Sequence, residues 1–180
     1  MLFVTSNPGK AREADEIFGD KVDVERVDYD CVEIQSDALA EIATYSVRDA
    51  YDHFDEPCFV DDSGLFVEGV GGFPGPYSSY VYSTLGLEGV LRAVEGIEDR
   101  SARFDCVVAY HDGNEVHTFE GTVRGRVAHE PGGEGGFGYD PVFEITEGNE
   151  NRTFAEMPPE EKNALSHRRR AFEAFADSLG

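Results

Sequence analysis

Residues 2–19 have the sequence LFVTSNPGKAREADEIFG, which passes from an apolar strand through a small polar turn into a helix. Asn7 can cap that helix, Pro8 suits its first position, and Gly19 suits its C-terminal exit. A buried strand that leads directly into a helix is typical of proteins in which helices cover a central sheet. This stretch therefore predicts an α/β fold.

The rest of the chain alternates further strands and helices. The predicted strands lie near 1–5, 22–28 and 141–145, with two short strands separated by an acidic break within 57–68, and the predicted helices span about 37–54 and 86–96, with a last helix from 167. Residues 101–128 alternate apolar and polar side chains, with turns at Asp112-Gly113 and near Gly121, which predicts an antiparallel meander. We expect one mixed α/β domain over 1–180, with a partly antiparallel central sheet.

The chain is strongly acidic, with a formal net charge of −22 and a pI near 4.4. Hydrophobic residues make up 40% of it, which argues against disorder, because disordered chains combine high charge with low hydrophobicity. The acidic residues are spread over the whole chain, and lysine is nearly absent. This pattern is typical of a cytosol rich in salt, with an ordinary acidic protein as the alternative. Binding to a nucleic-acid polymer is disfavoured, because the sequence has no basic stripe.

The cysteines and the apolar runs bear on the compartment. Cys31, Cys58 and Cys106 fit neither a disulfide framework nor a zinc spacing, so we expect buried, reduced thiols. The apolar start MLFV is too short for a signal sequence, and no run reaches the ~18 apolar residues of a membrane span. The sequence therefore predicts a cytoplasmic protein that does not bind membranes.

The turn TSNPGK, residues 5–10, looks like a phosphate loop without the Walker A spacing. Val4 stands where the first glycine belongs, and Ala11 replaces the Ser/Thr. Lys10 in the first helical turn opposes the macrodipole, at a cost on the order of 0.3–1 kcal/mol unless an anion lies there. With polar side chains and free backbone N–H groups at the helix start, the turn predicts an anion site. The alternative is a solvated lysine beside an ordinary Asn cap.

Two adjacent carboxylates, Asp61 and Asp62, follow the apolar residues Phe59 and Val60 in FVDDSGL. Only one of them can face a given cleft, because successive strand side chains point to opposite faces. Carboxylates at strand ends near an anion-binding turn suit Mg²⁺, which takes oxygen ligands. The alternative is a capped Asp-Ser-Gly turn. Glu33 also follows an apolar pair and is a candidate second carboxylate.

The loop EPGGEGGFGYDP, residues 130–141, contains a formal G-x-G-x-x-G. It leads into a strand rather than opening a helix, so it is not a dinucleotide fingerprint. The loop is expected to display Phe137 and Tyr139, followed by Asp140, and exposed aromatic rings suit stacking on a planar base. The alternative is that both rings fold back onto the core.

Four basic-type residues, 167–170, begin the last helix. Helical residues diverge by about 100° each, so the three arginines cannot all meet one ligand. His167 and Arg168 stand nearest the helix start and are the candidates for contact with an anionic or carbonyl-bearing ligand. The alternative is a surface patch that pairs with neighbouring acids.

The sequence resembles the inosine triphosphate pyrophosphatase family, also called Ham1-like, from Val4 to Phe172. Five ordered blocks carry the resemblance, namely TSNPGK, FVDDSGL, GGFPGPYSSYV, FGYDPVF and TFAEMPPEEKNALSHRRRAF. It implies a two-lobed α/β fold with the active site in the cleft between the lobes, usually in a homodimer. It also implies Mg²⁺-dependent hydrolysis of ITP, XTP and their deoxy forms to the monophosphate and pyrophosphate, which cleanses the nucleotide pool.

The same resemblance implies roles for residues of this chain. Glu33 and Asp62 are implied to bind Mg²⁺, and Asp62 is implied to act as the catalytic base. The implied substrate-binding residues are Thr5, Ser6, Asn7, Pro8, Gly9 and Lys10 at the triphosphate, then Ser63, and finally Phe137, Gly138, Tyr139, Asp140, Lys162, His167 and Arg168 around the base and sugar. One departure concerns a phosphate-contacting lysine of many members: Ser46 takes its place here, and Arg48 follows two residues later.

Two other functions are alternatives to this interpretation. A non-catalytic nucleotide-binding module would use the same pocket without metal carboxylates, but Glu33, Asp61 and Asp62 are all present. A general nucleotide phosphatase would release orthophosphate instead of pyrophosphate, so the product separates it from the first hypothesis.

Overall fold

The computed structural model of the protein describes residues 1–19, 22–147 and 152–180. Its strands are β1 (Leu2–Val4), β2 (Glu25–Val27), β3 (Cys58–Val67), β4 (Pro74–Gly75), β5 (Ser101–His111), β6 (Val116–Val127) and β7 (Phe143–Ile145). Its helices are α1 (Pro8–Phe18), α2 (Leu39–Phe54), α3 (Ser78–Ala93), α4 (Pro159–Leu165) and α5 (His167–Leu179). Within this described part, no helix is long and apolar enough to cross a membrane.

The strands form a mixed sheet in the order β2-β1-β3-β5-β6-β7, with β4 paired to β3 off this path. Strand β1 is parallel to both neighbours, with Leu2 opposite Glu25 on one side and Cys58 on the other. The β3–β4 and β6–β7 pairs are antiparallel. The predicted α/β class with a partly antiparallel sheet is thereby confirmed.

Three local predictions are wrong in instructive ways. The acidic break at Asp61 and Asp62 does not exist, because β3 runs without interruption from Cys58 to Val67. The turn near Gly121 is also absent, since β6 continues through this buried glycine. The helix predicted from 86 begins earlier, at Ser78, and Gly86 with φ 64° is a break inside it. In the two strands, pairing within the sheet overrides a local turn preference.

The described residues form two compact units. Unit 1 comprises 1–62, 106–121 and 168–180, and unit 2 comprises 63–105 and 122–167. The long strands β3, β5 and β6 each contribute one part to unit 1 and the other part to unit 2. The location of the active site between two lobes stays a prediction.

The core of unit 1 is built mainly from phenylalanine rings. Phe3 on β1 stacks on Phe59 on β3 with ring centroids 4.5 Å apart. Phe18 from α1 and Phe172 and Phe175 from α5 close around this pair. Each fully buried ring contributes about 1.5–3 kcal/mol by leaving water. This cluster fixes the C-terminal end of α1 and the middle of α5 relative to β1 and β3 within the unit.

The core of unit 2 packs α3 and the second half of β3 against β6 and β7, with Phe104, Phe143 and Phe154 fully or almost fully buried. The close approach of β4 to β3 requires Gly64, because a Cβ there would lie 2.4 Å from the carbonyl oxygen of Gly75. The glycine of the DDSGL block therefore has a packing role.

Candidate active site

The turn between β1 and α1 is closed by its own side chains. Asn7 Oδ1 accepts from the backbone N–H of Gly9 at 2.8 Å and of Lys10 at 3.4 Å, which confirms the predicted cap. The N–H of Asn7 in turn donates to Thr5 Oγ1 at 3.2 Å. The expectation of free N–H groups is therefore wrong for these three residues.

Two cations lie beside this turn, and the sequence pointed to only one of them. Lys10 Nζ is 2.7 Å from the carbonyl oxygen of Asp61 and 3.2 Å from Asp61 Oδ2, so the alternative of a merely solvated lysine is wrong. Arg26 on β2 donates from Nε to the carbonyl oxygen of Thr5 at 3.3 Å. Parallel pairing of β1 with β2 brings Arg26 opposite Phe3, a contact that no local pattern indicated.

Asp61 is the centre of a buried ion-pair group in unit 1. Its side chain is inaccessible to solvent, and Arg168 Nε lies 3.1 Å from Asp61 Oδ2. The other end of the Arg168 guanidinium donates from Nη1 to Glu13 Oε2. Cys106 Sγ is 3.9 Å from Asp61 Oδ2 and closes the group on one side. Four ionisable side chains, Lys10, Glu13, Asp61 and Arg168, thus neutralise one another.

The charges in this group shift each other's ionisation. Burial by itself raises the pKa of Asp61, but the Lys10 ammonium and the Arg168 guanidinium outweigh it, so the pKa lies below its usual value. Burial lowers the pKa of Arg168, and Asp61 and Glu13 more than compensate, so the net shift is upward. Both groups therefore stay charged at neutral pH. A carboxylate engaged by two cations is poorly suited to accept a proton from water.

Neighbouring arginines at the start of α5 point in different directions, as expected from the rotation of about 100° per helical residue. Arg168 is 4% exposed and faces inward, so for this residue the surface-patch alternative is wrong. Arg169 points outward and forms an i,i+4 pair with Glu173 at 2.7 Å. His167 is buried, with its ring stacked on Phe104 at a centroid distance of 4.8 Å. Contact of His167 or Arg168 with a nucleotide stays a prediction.

Asp62 lies on β3 directly after Asp61 and is half-buried. Strand geometry points it to the opposite face from Asp61. The capped-turn alternative for these residues is wrong, because both belong to a continuous strand. Ser63 is also half-buried on this strand.

Glu33 is exposed, and its loop is tied to α2 at the preceding residue. The backbone N–H of Val32 donates to Asp49 Oδ2 at 3.0 Å, and Ser46 Oγ donates to the carbonyl oxygen of Val32 at 3.3 Å. Tyr29 OH donates to the same Asp49 oxygen at 3.2 Å. Ser46 is thus a structural residue here. Its hydroxyl fixes the backbone that carries Glu33.

Unit 2 holds a second buried ion pair. Lys162 Nζ is 2.7 Å from Asp140 Oδ2, and both side chains are buried. The same Asp140 oxygen accepts from the N–H of Phe137 at 2.8 Å. Lys162 Nζ also lies 4.4 Å from the centroid of the Phe137 ring, in a cation–π contact. Gly136, with φ 71°, is needed here because a Cβ would lie 2.1 Å from Asp140 Oδ2.

The two aromatic residues of the glycine-rich loop differ in their exposure to solvent. Phe137 is 45% exposed, as expected of a ring available for stacking. Tyr139 is buried, donates from its OH to the carbonyl oxygen of Ser78 at 2.8 Å, and meets Tyr82 edge-on at 5.4 Å. The expectation that both rings are displayed is therefore wrong for Tyr139, and the core alternative holds for it.

One group of three potential metal ligands lies among the described residues, and the sequence did not indicate it. Asp112, Glu115 and His117 meet at the turn between β5 and β6, with His117 Nε2 3.1 Å from Asp112 Oδ2. Backbone N–H groups of Glu115 and Asn114 lower the pKa of Asp112 to about 2. The contacts that stabilise this carboxylate are those of an exposed hairpin turn.

Comparison with known proteins agrees with this architecture. The family model described as "Ham1 family" matches residues 1–178. The dITP/XTP pyrophosphatase of Methanopyrus kandleri is 52% identical over 179 residues, covering 98% of this chain and 94% of that protein. The dITP/XTP pyrophosphatase of Thermococcus kodakarensis is 51% identical, covering 99% and 96%. The solved structure of a HAM1 protein from Coxiella burnetii has a TM-score of 0.88 at 30% identity, covering 99% and 96%. This chain therefore belongs to the Ham1 family.

Proposed function

We propose that this chain is a nucleoside triphosphate pyrophosphatase that hydrolyses deaminated purine nucleotides, namely ITP, XTP, dITP and dXTP, to the monophosphate and pyrophosphate. Its similarity to dITP/XTP pyrophosphatases over nearly the whole chain supports the substrate class. The observation that carries the proposal is the placement of Lys10, which Asp61 holds at the first turn of α1. A fixed cation at a helix N-terminus suits a phosphate group.

The triphosphate binds at residues 5–10 through side chains. Asp61 engages Lys10 with two contacts, and an ammonium has three donors, which leaves one N–H to point at a phosphate oxygen. Arg26 supplies a second positive charge from β2. Because Asp61 offsets the unfavourable interaction of Lys10 with the helix dipole, the cation is held in place before the substrate arrives.

Asp62 and Glu33 are the proposed Mg²⁺ ligands, and Mg²⁺ is the proposed cofactor. Carboxylate oxygens are the ligands that Mg²⁺ takes, and an exposed Glu33 leaves room for the waters that this ion keeps. When bound, Mg²⁺ neutralises charge on the triphosphate. Asp62 accepts a proton from the attacking water, whereas Asp61 is committed to Lys10 and Arg168.

Two side chains are proposed to select the base. Phe137 offers an exposed ring for stacking, fixed by Asp140 and Lys162. Arg168 donates to the 6-oxo oxygen of hypoxanthine or xanthine, since a guanidinium offers only donors and cannot pair with the 6-amino group of adenine. A site built around such a bond rejects the wrong base strongly.

We also propose a homodimer that works in a salt-rich cytoplasm. The net charge of −22 makes surface carboxylates repel one another at low ionic strength. The Debye length falls from ~30 Å at 0.01 M salt to ~3 Å at 1 M, so the melting temperature should climb steeply over this range. A melting temperature that does not change with salt concentration in differential scanning calorimetry would contradict the proposed adaptation to salt.

A nucleotide panel tests the activity. The protein is incubated with Mg²⁺ in molar KCl and with ITP, XTP, dITP, ATP and GTP, and the products are separated chromatographically. We expect pyrophosphate and monophosphate, with the deaminated nucleotides hydrolysed fastest. Release of orthophosphate would instead support a general nucleotide phosphatase, and tight binding without turnover would support a nucleotide-binding module.

A further inference from the structure

The segment 28–38 joins β2 to α2, and this fully described part of the chain contains neither a helix nor a strand. It carries Glu33, the proposed Mg²⁺ ligand, near its middle. No residue of the described segment is buried, so packing in the core does not fix its position. A metal ligand placed here needs polar contacts to its backbone, because a loop by itself positions side chains less precisely than a helix or a strand does.

Two side chains of α2 hold Val32, the residue before Glu33. Asp49 Oδ2 accepts from the backbone N–H of Val32 at 3.0 Å, and Ser46 Oγ donates to the carbonyl oxygen of Val32 at 3.3 Å. Ser46 and Asp49 are three residues apart, so they lie on the same face of the helix. The peptide groups on both sides of Val32 are therefore fixed, and the second of them leads directly into Glu33.

Tyr29 is the second donor to Asp49. Its OH donates to Asp49 Oδ2 at 3.2 Å. The Tyr29 ring is held by the last turn of α2, where it stacks on His53 with centroids 4.5 Å apart and meets Phe54 edge-on at 5.4 Å. One carboxylate oxygen thus joins two points of the segment to the helix. Because hydrogen bonds to an ionised group are stronger than neutral ones, Asp49 should contribute more to this order than Ser46.

The helix that carries Asp49 is itself firmly placed. Val47 and Ala50 on α2 have no solvent-accessible surface, and Asp49 between them is half-buried. The helix and the segment 28–38 both belong to unit 1. The contacts to Val32 therefore exist before any ligand arrives, which lowers the entropy cost of binding one.

The carboxylates of Glu33 and Asp49 have different surroundings. Glu33 is exposed, and within the described part of the chain its carboxylate forms no hydrogen bond or ion pair. Asp49 instead uses one oxygen to accept from two donors of the segment. Metal sites commonly combine a ligand with a residue that orients it, and loss of the orienting residue lowers metal affinity or activity.

We propose that Asp49 is a positioning residue, which holds the backbone at Val32 and thereby presents the Glu33 carboxylate to Mg²⁺. The inference rests on the proposed function, because that function makes Glu33 a Mg²⁺ ligand. In this role Asp49 acts through the segment 28–38 and contacts neither the substrate nor the metal.

The first test measures the order of the segment 28–38 by hydrogen exchange and mass spectrometry, in molar KCl without substrate or Mg²⁺. Asp49→Ala removes the acceptor, and Asp52→Ala is the matched control, since Asp52 is an exposed carboxylate on the same helix. We expect faster exchange of the segment in Asp49→Ala and wild-type exchange in Asp52→Ala. Asp49→Asn keeps a carbonyl oxygen that can accept both hydrogen bonds, so it should restore most of the protection.

The second test measures the Mg²⁺ concentration that half-saturates XTP hydrolysis. We expect Asp49→Ala to raise it ~10–100-fold, the usual effect of losing a residue that orients a metal ligand. The turnover number at saturating Mg²⁺ should fall much less, whereas a merely structural role would not produce this split. Tyr29→Phe removes one of the two hydrogen bonds and keeps the stacked ring. It is the second variant if Asp49→Ala loses its circular dichroism, and it should raise the same concentration by a smaller factor.

A folded Asp49→Ala variant with wild-type Mg²⁺ dependence overturns the inference, and so does an equal change in Asp52→Ala. Glu33→Gln, measured beside them, separates this failure from a failure of the proposed function. An unaffected Asp49→Ala beside an impaired Glu33→Gln would overturn the inference alone. Unchanged Mg²⁺ dependence in Glu33→Gln would overturn it together with the assignment of Glu33 as a ligand.

Discussion

The two units hold their candidate site residues with different charge arrangements. In unit 1 the carboxylate of Asp61 is shared by two cations, one of them Arg168, and its side chain has no solvent access. In unit 2 the ammonium of Lys162 lies between one carboxylate, Asp140, and the exposed ring of Phe137. The first arrangement fixes charges in place, and the second fixes a ring that remains open to solvent.

The two arrangements suit different chemical tasks. A pre-ordered set of charges suits phosphoryl transfer, in which positioning and charge neutralisation contribute more than covalent chemistry. A supported but exposed ring suits recognition of a planar base, which must enter and leave. Breaking a buried ion pair is costly in either unit, but loss of Arg168 leaves two buried carboxylates, so the unit 1 group should be the more sensitive of the two.

The largest effect is expected at Arg168. Arg168→Ala leaves Asp61 and Glu13 buried with no guanidinium between them, and breaking a buried pair in this way costs about 3–5 kcal/mol. Arg169→Ala is the matched control, since its exposed i,i+4 pair with Glu173 is worth only about 0.3–0.5 kcal/mol. Urea unfolding in molar KCl measures both. Equal losses would show that the unit 1 group does not stabilise the fold.

The same variant tests base selection. If Arg168 donates to the 6-oxo group, Arg168→Ala lowers activity on ITP far more than on ATP and narrows their ratio. Discrimination against GTP should stay largely as it was, because GTP shares the 6-oxo group. An unchanged ITP-to-ATP ratio in the folded variant would remove Arg168 from base recognition.

The next largest effect is expected in the loss of stability at acidic pH. The pKa of Asp61 is lowered on folding, so its ion pairs stabilise the protein above the unfolded pKa of about 3.9, and this contribution is lost as the pH falls through the lower folded pKa. Asp61→Asn has no such carboxylate, so its unfolding free energy should depend less on pH in this range. Thermal unfolding from pH 6 downward measures the difference. Parallel pH profiles for the two proteins would contradict the assigned pairing.

The sequence predicted best what depends on neighbouring residues. Asn7 was identified as the cap of α1 because capping joins positions two and three apart. The adjacency of Asp61 and Asp62 also showed that only one of them can face a cleft. It did not show which one, because that depends on where Lys10 and Arg168 arrive in the fold.

Contacts between distant residues account for what the sequence missed. The bond from Arg168 to Asp61 spans 107 residues, and the one from Arg168 to Glu13 spans 155. Arg26 reaches the turn between β1 and α1 through parallel pairing of β1 and β2. The continuity of β3 through its two carboxylates has the same origin, since the position of β3 between β1 and β5 in the sheet overrides a local turn preference.

The smallest effects are expected for substitutions of Phe137 and Tyr139, which should change different quantities. Phe137→Leu should raise the KM for XTP several-fold with little change in stability, because an exposed cation–π contact is worth about 0.5–1 kcal/mol. Tyr139→Phe should leave the KM unchanged and cost about 0.5–1.5 kcal/mol, the worth of its hydrogen bond to Ser78. Steady-state kinetics and urea unfolding give both quantities. The reverse pattern would place Tyr139 at the base.

The most direct test of the proposed chemistry is the rate of pyrophosphate release from XTP by Asp62→Asn, with Mg²⁺ in molar KCl. The substitution keeps the size of the side chain on β3 and removes the charge proposed to bind Mg²⁺ and to accept a proton. We predict a turnover at least ~100-fold below the wild type, the usual contribution of a general base, with unchanged circular dichroism. Near-normal turnover would contradict the assignment of Asp62 as the base.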